Sequence, residues 1–303
     1  MRRTHAWGVH NRVNALRPPW PRQVGKIISL QIRSFASHHN LVTLKRFMSK
    51  LLEGKLALIL GIANKWSLAY SIAQAFHREG AALALTYLGE KQKQTIEEFA
   101  QGWNVAAILP CDVTKDEDLA GLAESLRALS RPLHAVVHSL AFANREDLSH
   151  PFSETSRAGF LLAQDVSAYS LVAVARAAAP LMTEGGSIST LTYLGSTRVM
   201  PNYNVMGVAK ASLEASMRYL AGDLGQQKIR VNAISAGPVK TASARAVKDF
   251  STILDITVNR APLRRNVEPA EVADSAVFLA SDLGRGVTGN VLFVDSGMHI
   301  MGF

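Results

Sequence analysis

The chain has 303 residues and a formal charge of +9, a balance that by itself would point to nucleic acid or an anionic membrane surface. Its distribution argues against both: ten of the 33 Lys and Arg fall in residues 1–52, which hold no Asp or Glu, so the other 23 face all 24 acidic residues and the remainder is close to neutral. With one cysteine, Cys111, no internal disulfide can form, and no apolar run reaches the roughly 18 residues of a membrane-spanning helix.

In chain order, residues 1–47 come first: Arg-rich, Ser-containing and free of acids, they have the composition of an organellar transit peptide. Pro18, Pro19 and Pro21 would break an amphipathic helix there, and Met48 offers an alternative start. The second reading is preferred and carries a cytoplasmic location, the first an organellar one. On either, residues 1–47 are expected to be disordered and without chemistry, and residues 48–303 to form one domain. Apolar runs predict strands at 55–60, 82–87, 105–109, 134–138, 186–191, 229–234 and 291–294. Helical patterns lie between them at 67–79, 90–101, 115–129, 157–180, 203–225 and 269–281, the last with Pro269 in its first turn. The stretch 166–182 is apolar but interrupted by Ser167, Ser170 and Arg176, which reads as a buried helix. Cys111, ending an apolar run, reads as a small buried hydrophobe. Alternation of near-continuous apolar strands with helices predicts an α/β fold: a single Rossmann-type doubly wound parallel sheet of about seven strands with helices on both faces. Ligands of such sheets bind at the carboxyl ends of the strands.

The loops at those ends are informative. After the first strand comes Gly61-Ile-Ala-Asn-Lys-Trp-Ser67, with one glycine where a dinucleotide fingerprint has three. Close approach at Gly61, and Ser67 at a helix start with its hydroxyl and amides toward an anion, would still suit a pyrophosphate. Leu88 follows the second strand, and no Arg follows it directly, so a 2′-phosphate lacks a bidentate partner. That favours NADH, with NADPH open because Lys91 and Lys93 are near. Asp112, after the third strand, could accept from an adenine amine or cap the next helix. Ser139-Leu140-Ala141 follows the fourth strand, and Val239-Lys240-Thr241 the sixth, where Thr241 could reach a phosphate or a carboxamide. Tyr193, Tyr203 and Lys210 share one further run. A tyrosine seven residues before a lysine at a helix start puts phenol and ammonium on one face, two turns apart. The phenol suits contact with a substrate oxygen and the lysine a cofactor.

These stretches carry a resemblance. From about residue 50 onward the chain resembles short-chain dehydrogenases, and within them the bacterial-type enoyl-acyl-carrier-protein reductases. The matching segments are 61–67, 138–143, 193–195, 201–215 and 230–238. Ordinary short-chain dehydrogenases place their tyrosine four residues before the lysine; here that position is Met206, and Tyr193 replaces the usual serine. A phenol one turn further back, at Tyr203, suits a carbonyl displaced from the hydride acceptor, as in an enoyl thioester.

The resemblance implies hydride transfer from NADH to C3 of a trans-2-enoyl thioester in fatty acid elongation. Tyr203 would stabilise the enolate, Lys210 would bond the nicotinamide ribose, and Tyr193 would lie within the site. It implies a cofactor set of Gly61, Ser67, Leu68, Leu88, Asp112, Val113, Leu140, Lys210, Val239, Lys240, Thr241, Ala242 and Ser243. Ala143, Met206 and Phe250, with Tyr203, are candidates for the acyl pocket or plain core. A lid is expected over 239–266, where Lys240, Arg245, Lys248, Arg260, Arg264 and Arg265 outnumber Asp249 and Asp255. That segment would either steer an acidic acyl carrier protein or be an ordinary basic surface. A homotetramer is implied, burying the apolar faces of the helices at 157–180 and 203–225. No metal, nucleic acid or membrane is expected. The rival readings are another short-chain dehydrogenase acting on a carbonyl/alcohol pair, and a non-catalytic dinucleotide-binding protein.

Overall fold

The computed structural model describes residues 50–241 and 250–302. The extension at 1–47, Ala242 and Ser243 of the cofactor set, and Arg245, Lys248 and Asp249 of the lid lie outside them. Seven strands form one sheet: β1 (Leu56–Leu60), β2 (Ala82–Tyr87), β3 (Val105–Pro110), β4 (Ala135–His138), β5 (Gly186–Thr192), β6 (Ile229–Ala236) and β7 (Val291–Val294). Their order is β3-β2-β1-β4-β5-β6-β7 and every pairing is parallel. The helices are α1 (Leu68–Arg78), α2 (Glu90–Phe99), α3 (Asp116–Ala128), α4 (Arg145–Ser149), α5 (Arg157–Gln164), α6 (Ser170–Ala178), α7 (Asn204–Leu224), α8 (Phe250–Arg260) and α9 (Pro269–Ala280).

Alternate residues of β1 divide between two cores, as a strand buried on both faces requires. Leu56, Leu58 and Leu60 pack with Leu122 of α3, Val174 of α6 and Leu213 of α7. Ala57 and Ile59 pack with Phe76 of α1, Ile96 of α2 and Val272 of α9. Cys111 is buried in the first of these cores. The order reverses between β1 and β4, where Leu60 lies beside His138, so the loops after these strands diverge and open a crevice.

The single helix predicted at 157–180 is four successive segments. A π-turn over Asp165–Tyr169 separates α5 from α6, and a 3-10 turn over Ala179–Leu181 ends the run at Pro180. Within the π-turn Ser167 accepts from the Phe142 amide at 2.9 Å and donates to the Phe142 carbonyl at 3.0 Å. Ser170 donates to the Val166 carbonyl at 2.6 Å. Side-chain hydroxyls thus hold the widened turn, a common origin of such turns near functional sites. By length and composition Arg157–Leu181 could cross a membrane, but half of its apolar window is buried within the fold. The short α4 and the separate helix α8 had no counterpart in the periodicity; α8 occupies part of the expected lid.

Candidate active site

Tyr193 follows β5 in extended backbone. The chain then turns through a 3-10 segment, Leu194–Ser196, and returns to Tyr203, the residue before the first turn of α7. Asn202 and Asn204, on either side of Tyr203, have φ of 60° and 37°, a region asparagine tolerates better than most residues. The Asn204 amide donates to the His150 carbonyl at 2.7 Å, tying this corner to the end of α4. The rings of Tyr193 and Tyr203 meet edge to face, 5.0 Å between centroids and 71° between planes. Gly195 permits this: a Cβ there would come within 2.5 Å of the Tyr203 ring.

Lys210 points back along the same face of α7, and its ammonium donates to the Leu191 carbonyl of β5 at 2.7 Å. Burial pulls Lys210 down to about 8, and nearby Glu214 opposes the fall. Burial pushes Tyr193 up to about 12, with Asp295 adding to the rise. The Tyr203 phenol is raised further, by burial and then by Tyr193. Both phenols therefore stay protonated near neutral pH and can donate.

Met206, one turn nearer Lys210, is buried, and its sulfur lies 3.7 Å from the Ser167 hydroxyl. It packs with Leu148, Ala163 and Val205, with Ala143 and Tyr203 at the edge of that cluster. A cavity of about 280 Å³ opens on the other side of Tyr193. Its lining includes Leu194, Met200, Pro238, Ile253, Ile256 and Met298. The four expected acyl-pocket residues do not line it: Ala143, Met206 and Tyr203 belong to the neighbouring cluster, and Phe250 only begins the helix whose next turns do. Ile253, Ile256 and Thr257 at helical spacing were the signal that could have found this wall.

The cofactor candidates at described positions all lie beyond the carboxyl ends of β1, β2, β3, β4 and β6, apart from Lys210. Gly61 has φ +94°, and a Cβ there would sit 2.0 Å from the Ser139 carbonyl oxygen. The loop after β4 thus requires the glycine by itself, beside any approach of a cofactor. Ser67 caps α1: it accepts from the Tyr70 amide at 3.2 Å and donates to the Asn64 carbonyl at 2.7 Å. Its hydroxyl is spent within the turn, so first-turn amides beside Leu68 are what remains for an anion. Leu88 is exposed, its amide donating to Gln92. Asp112 does not cap α3, whose N-cap is Lys115. Instead its carboxylate accepts from the Thr114 hydroxyl and amide, at 2.7 and 3.1 Å, and these contacts, the hydroxyl first, hold it below the usual carboxylate range. Val113 and Leu140 pack on the sheet core. Val239 accepts from the Thr241 amide at 2.8 Å, and Lys240 is exposed.

His138, absent from the sequence expectations, is fully buried at the end of β4. Because Ser170 spends its proton on Val166, it accepts from Nε2–H of His138 at 2.8 Å. Nδ1 then accepts from the Thr190 hydroxyl at 2.9 Å. Burial, reinforced by Lys210, pulls His138 down to about 3. Below its ordinary value near 6.5 the unfolded chain takes up a proton that the folded protein refuses, so stability is lost as pH falls toward 3. From the two values the loss at pH 4 is roughly 3 kcal/mol. Urea midpoints at pH 7 and pH 4 check it: His138→Gln should lose clearly less over that interval than the wild type, and equal losses would contradict the assignment.

Crevice, glycine turn and Tyr203–Lys210 pair together define the class: a short-chain dehydrogenase/reductase. Comparison with known proteins makes it more particular. Residues 61–299 match the family described as Enoyl-(Acyl carrier protein) reductase. Over 255 residues the chain is 56% identical to the NADH enoyl-acyl-carrier-protein reductase of Bacillus cereus, covering 84% of this chain and all of that one. It is 51% identical over 250 residues to the NADPH enzyme of Staphylococcus aureus, covering 82% and 98%. A crystal structure of the B. cereus reductase with NADP+ and indole naphthyridinone has a TM-score of 0.82 at 55% identity, covering 84% of this chain and 100% of that one. The chain belongs to the enoyl-acyl-carrier-protein reductase family.

Proposed function

We propose that the protein reduces the trans-2 double bond of enoyl thioesters carried on acyl carrier protein, in fatty acid elongation, with NADH as cofactor. The observation that carries this reading is the placement of a half-buried, protonated phenol at Tyr203, where a carbonyl reductase of the same fold would need it at Met206. The residues present fit a dinucleotide. Lys210 has three N–H donors and spends one on Leu191, leaving donors for ribose hydroxyls. The first turn of α1 supplies amides for the pyrophosphate, with Leu68 beside them. Leu88, Asp112 and Val113 would hold the adenosine end, while Leu140 and the Val239–Thr241 stretch would hold the nicotinamide half. When bound, the reduced nicotinamide supplies hydride to C3 of the acyl group.

Tyr203 donates its phenolic proton in a hydrogen bond to the thioester oxygen, where negative charge develops; such aimed donors are often the largest single contribution to rate. The Lys210 ammonium adds positive potential at the same place. Tyr193, between the Tyr203 ring and the cavity, orients the phenol and closes the acyl side against water. The apolar cavity beside Leu194, Ile253 and Ile256 takes the acyl chain. Among basic residues of the expected lid, Arg265 is held by Glu271 at 2.6 and 2.7 Å and Arg264 by the Asn259 carbonyl. Among the described residues of that segment, Lys240 and Arg260, both exposed, are charges offered to an acidic carrier.

A homotetramer is part of the proposal, supported by large exposed apolar side chains on two helices: Phe160 and Leu161 on α5, Val208 and Tyr219 on α7. So is a cytoplasmic location, the relatives being bacterial, with residues 1–47 outside the chemistry. The NADH absorbance band tests the reaction: consumption with crotonyl thioester and none with acetoacetyl thioester is the expected result. The reverse pattern would select a carbonyl reductase instead.

A further inference from the structure

The site contains a buried carboxylate that the chemistry above leaves unused. Glu214 stands four residues after Lys210 on α7, on the same face, and the two are 6% and 5% exposed. Consecutive residues of β5 take one charge each. The Leu191 carbonyl accepts from the ammonium at 2.7 Å, and the Thr192 hydroxyl donates to Glu214 Oε1 at 2.7 Å. The strand therefore separates the charges, holding the carboxylate behind the lysine rather than against it. Other charged or titratable groups face this corner from neighbouring elements. His138 on β4 lies close enough to Lys210 to feel its charge, and Asp295 beyond β7 faces Tyr193.

We propose that Glu214 is a positioning residue: fixed by Thr192, it keeps Lys210 an ammonium and leaves the N–H groups not bonded to Leu191 free for the ribose of the cofactor. A direct ion pair would have occupied those donors. A lone buried ammonium would instead shed its proton, because burial penalises the charged form. Both tendencies act on Lys210, burial lowering it and Glu214 raising it. The inference rests on the reading of Lys210 as the ribose-binding lysine.

The test follows NADH binding to the purified full-length protein by fluorescence from pH 6 to pH 10, for wild type, Glu214→Gln and Thr192→Val. Wild-type affinity should decline as Lys210 loses its proton. In Glu214→Gln the decline should start about one pH unit lower, which is roughly fivefold weaker binding at the wild-type midpoint and approaches about tenfold above it, while affinities at pH 6 stay close. Thr192→Val should move the decline in the same direction by less, and Thr192→Ser should restore it. A wild type that binds NADH beside a Glu214→Gln whose loss is the same at every pH would overturn the role of Glu214 alone. A wild type that does not bind NADH would overturn the functional reading and this inference with it. Should Glu214→Gln fail to fold, an unmoved decline in Thr192→Val overturns the proposal and a shifted one supports it.

Discussion

Tyr203→Phe is expected to lower kcat/KM for a short enoyl thioester by roughly 10²- to 10³-fold, the usual cost of removing one donor aimed at a developing oxyanion. The substitution keeps the ring, and with it the edge-to-face contact with Tyr193 at 5.0 Å and the packing over Gly195. Folding should therefore be preserved, and the loss should fall on kcat, because the interaction strengthens only as charge moves onto the oxygen. NADH affinity should stay within about twofold, since the ribose is assigned to Lys210 and not to the phenol. Steady-state kinetics with crotonyl thioester, together with thermal melts of both proteins, separate these statements. An unchanged kcat/KM would remove Tyr203 from the mechanism.

Gly61→Ala should be the most damaging small substitution for stability. The new Cβ would lie 2.0 Å from the Ser139 carbonyl oxygen, at a φ of +94°. Neither side can yield easily, because β1 and β4 are neighbours in the sheet and the Ser139 amide donates to the Leu60 carbonyl at 3.2 Å. Left-handed backbone in a residue with a Cβ, added to an overlap with main chain, puts the cost at roughly 3–5 kcal/mol. Gly121→Ala is the control. It lies inside α3 with nothing within 4 Å of the new methyl, so alanine should be neutral or stabilise by about 0.5–1 kcal/mol. Urea midpoints at matched protein concentration measure both, and a Gly61→Ala loss no larger than that of an average surface change would contradict the close approach.

What the chain disclosed before folding, and what it withheld, divides along physical lines. Strands of a parallel sheet are near-continuous apolar runs, so β2 and the edge strand β7 were bounded to the residue and the parallel sheet could be inferred from the alternation with helices. Tyr203, Lys210 and Met206 were legible because their spacing on one helix sets which of them share a face. Contacts made across the sheet were not. The π-turn depends on Ser167 reaching Phe142, and the environment of Lys210 depends on β5 presenting Leu191 and Thr192 to α7. Neither is a local property of helix 157–180 or helix 203–225. Asp112 illustrates a competition that spacing does not resolve: an aspartate just before a helix could cap it, but Thr114 engages its carboxylate instead. Met206 and Ala143 kept two readings, acyl pocket or core, for a similar reason. Apolar residues beside a site can face the ligand or the core, and only packing against Leu148, Ala163 and Val205 decides between them.

A crystal structure of the protein with NAD+ and an unreduced enoyl thioester tests the central claim most directly. The Tyr203 hydroxyl should lie at hydrogen-bond distance from the thioester oxygen, about 2.5–3.0 Å, with the Met206 sulfur still turned toward Ser167. A hydroxyl pointing away from the acyl group, with that oxygen held by a different donor, would contradict it.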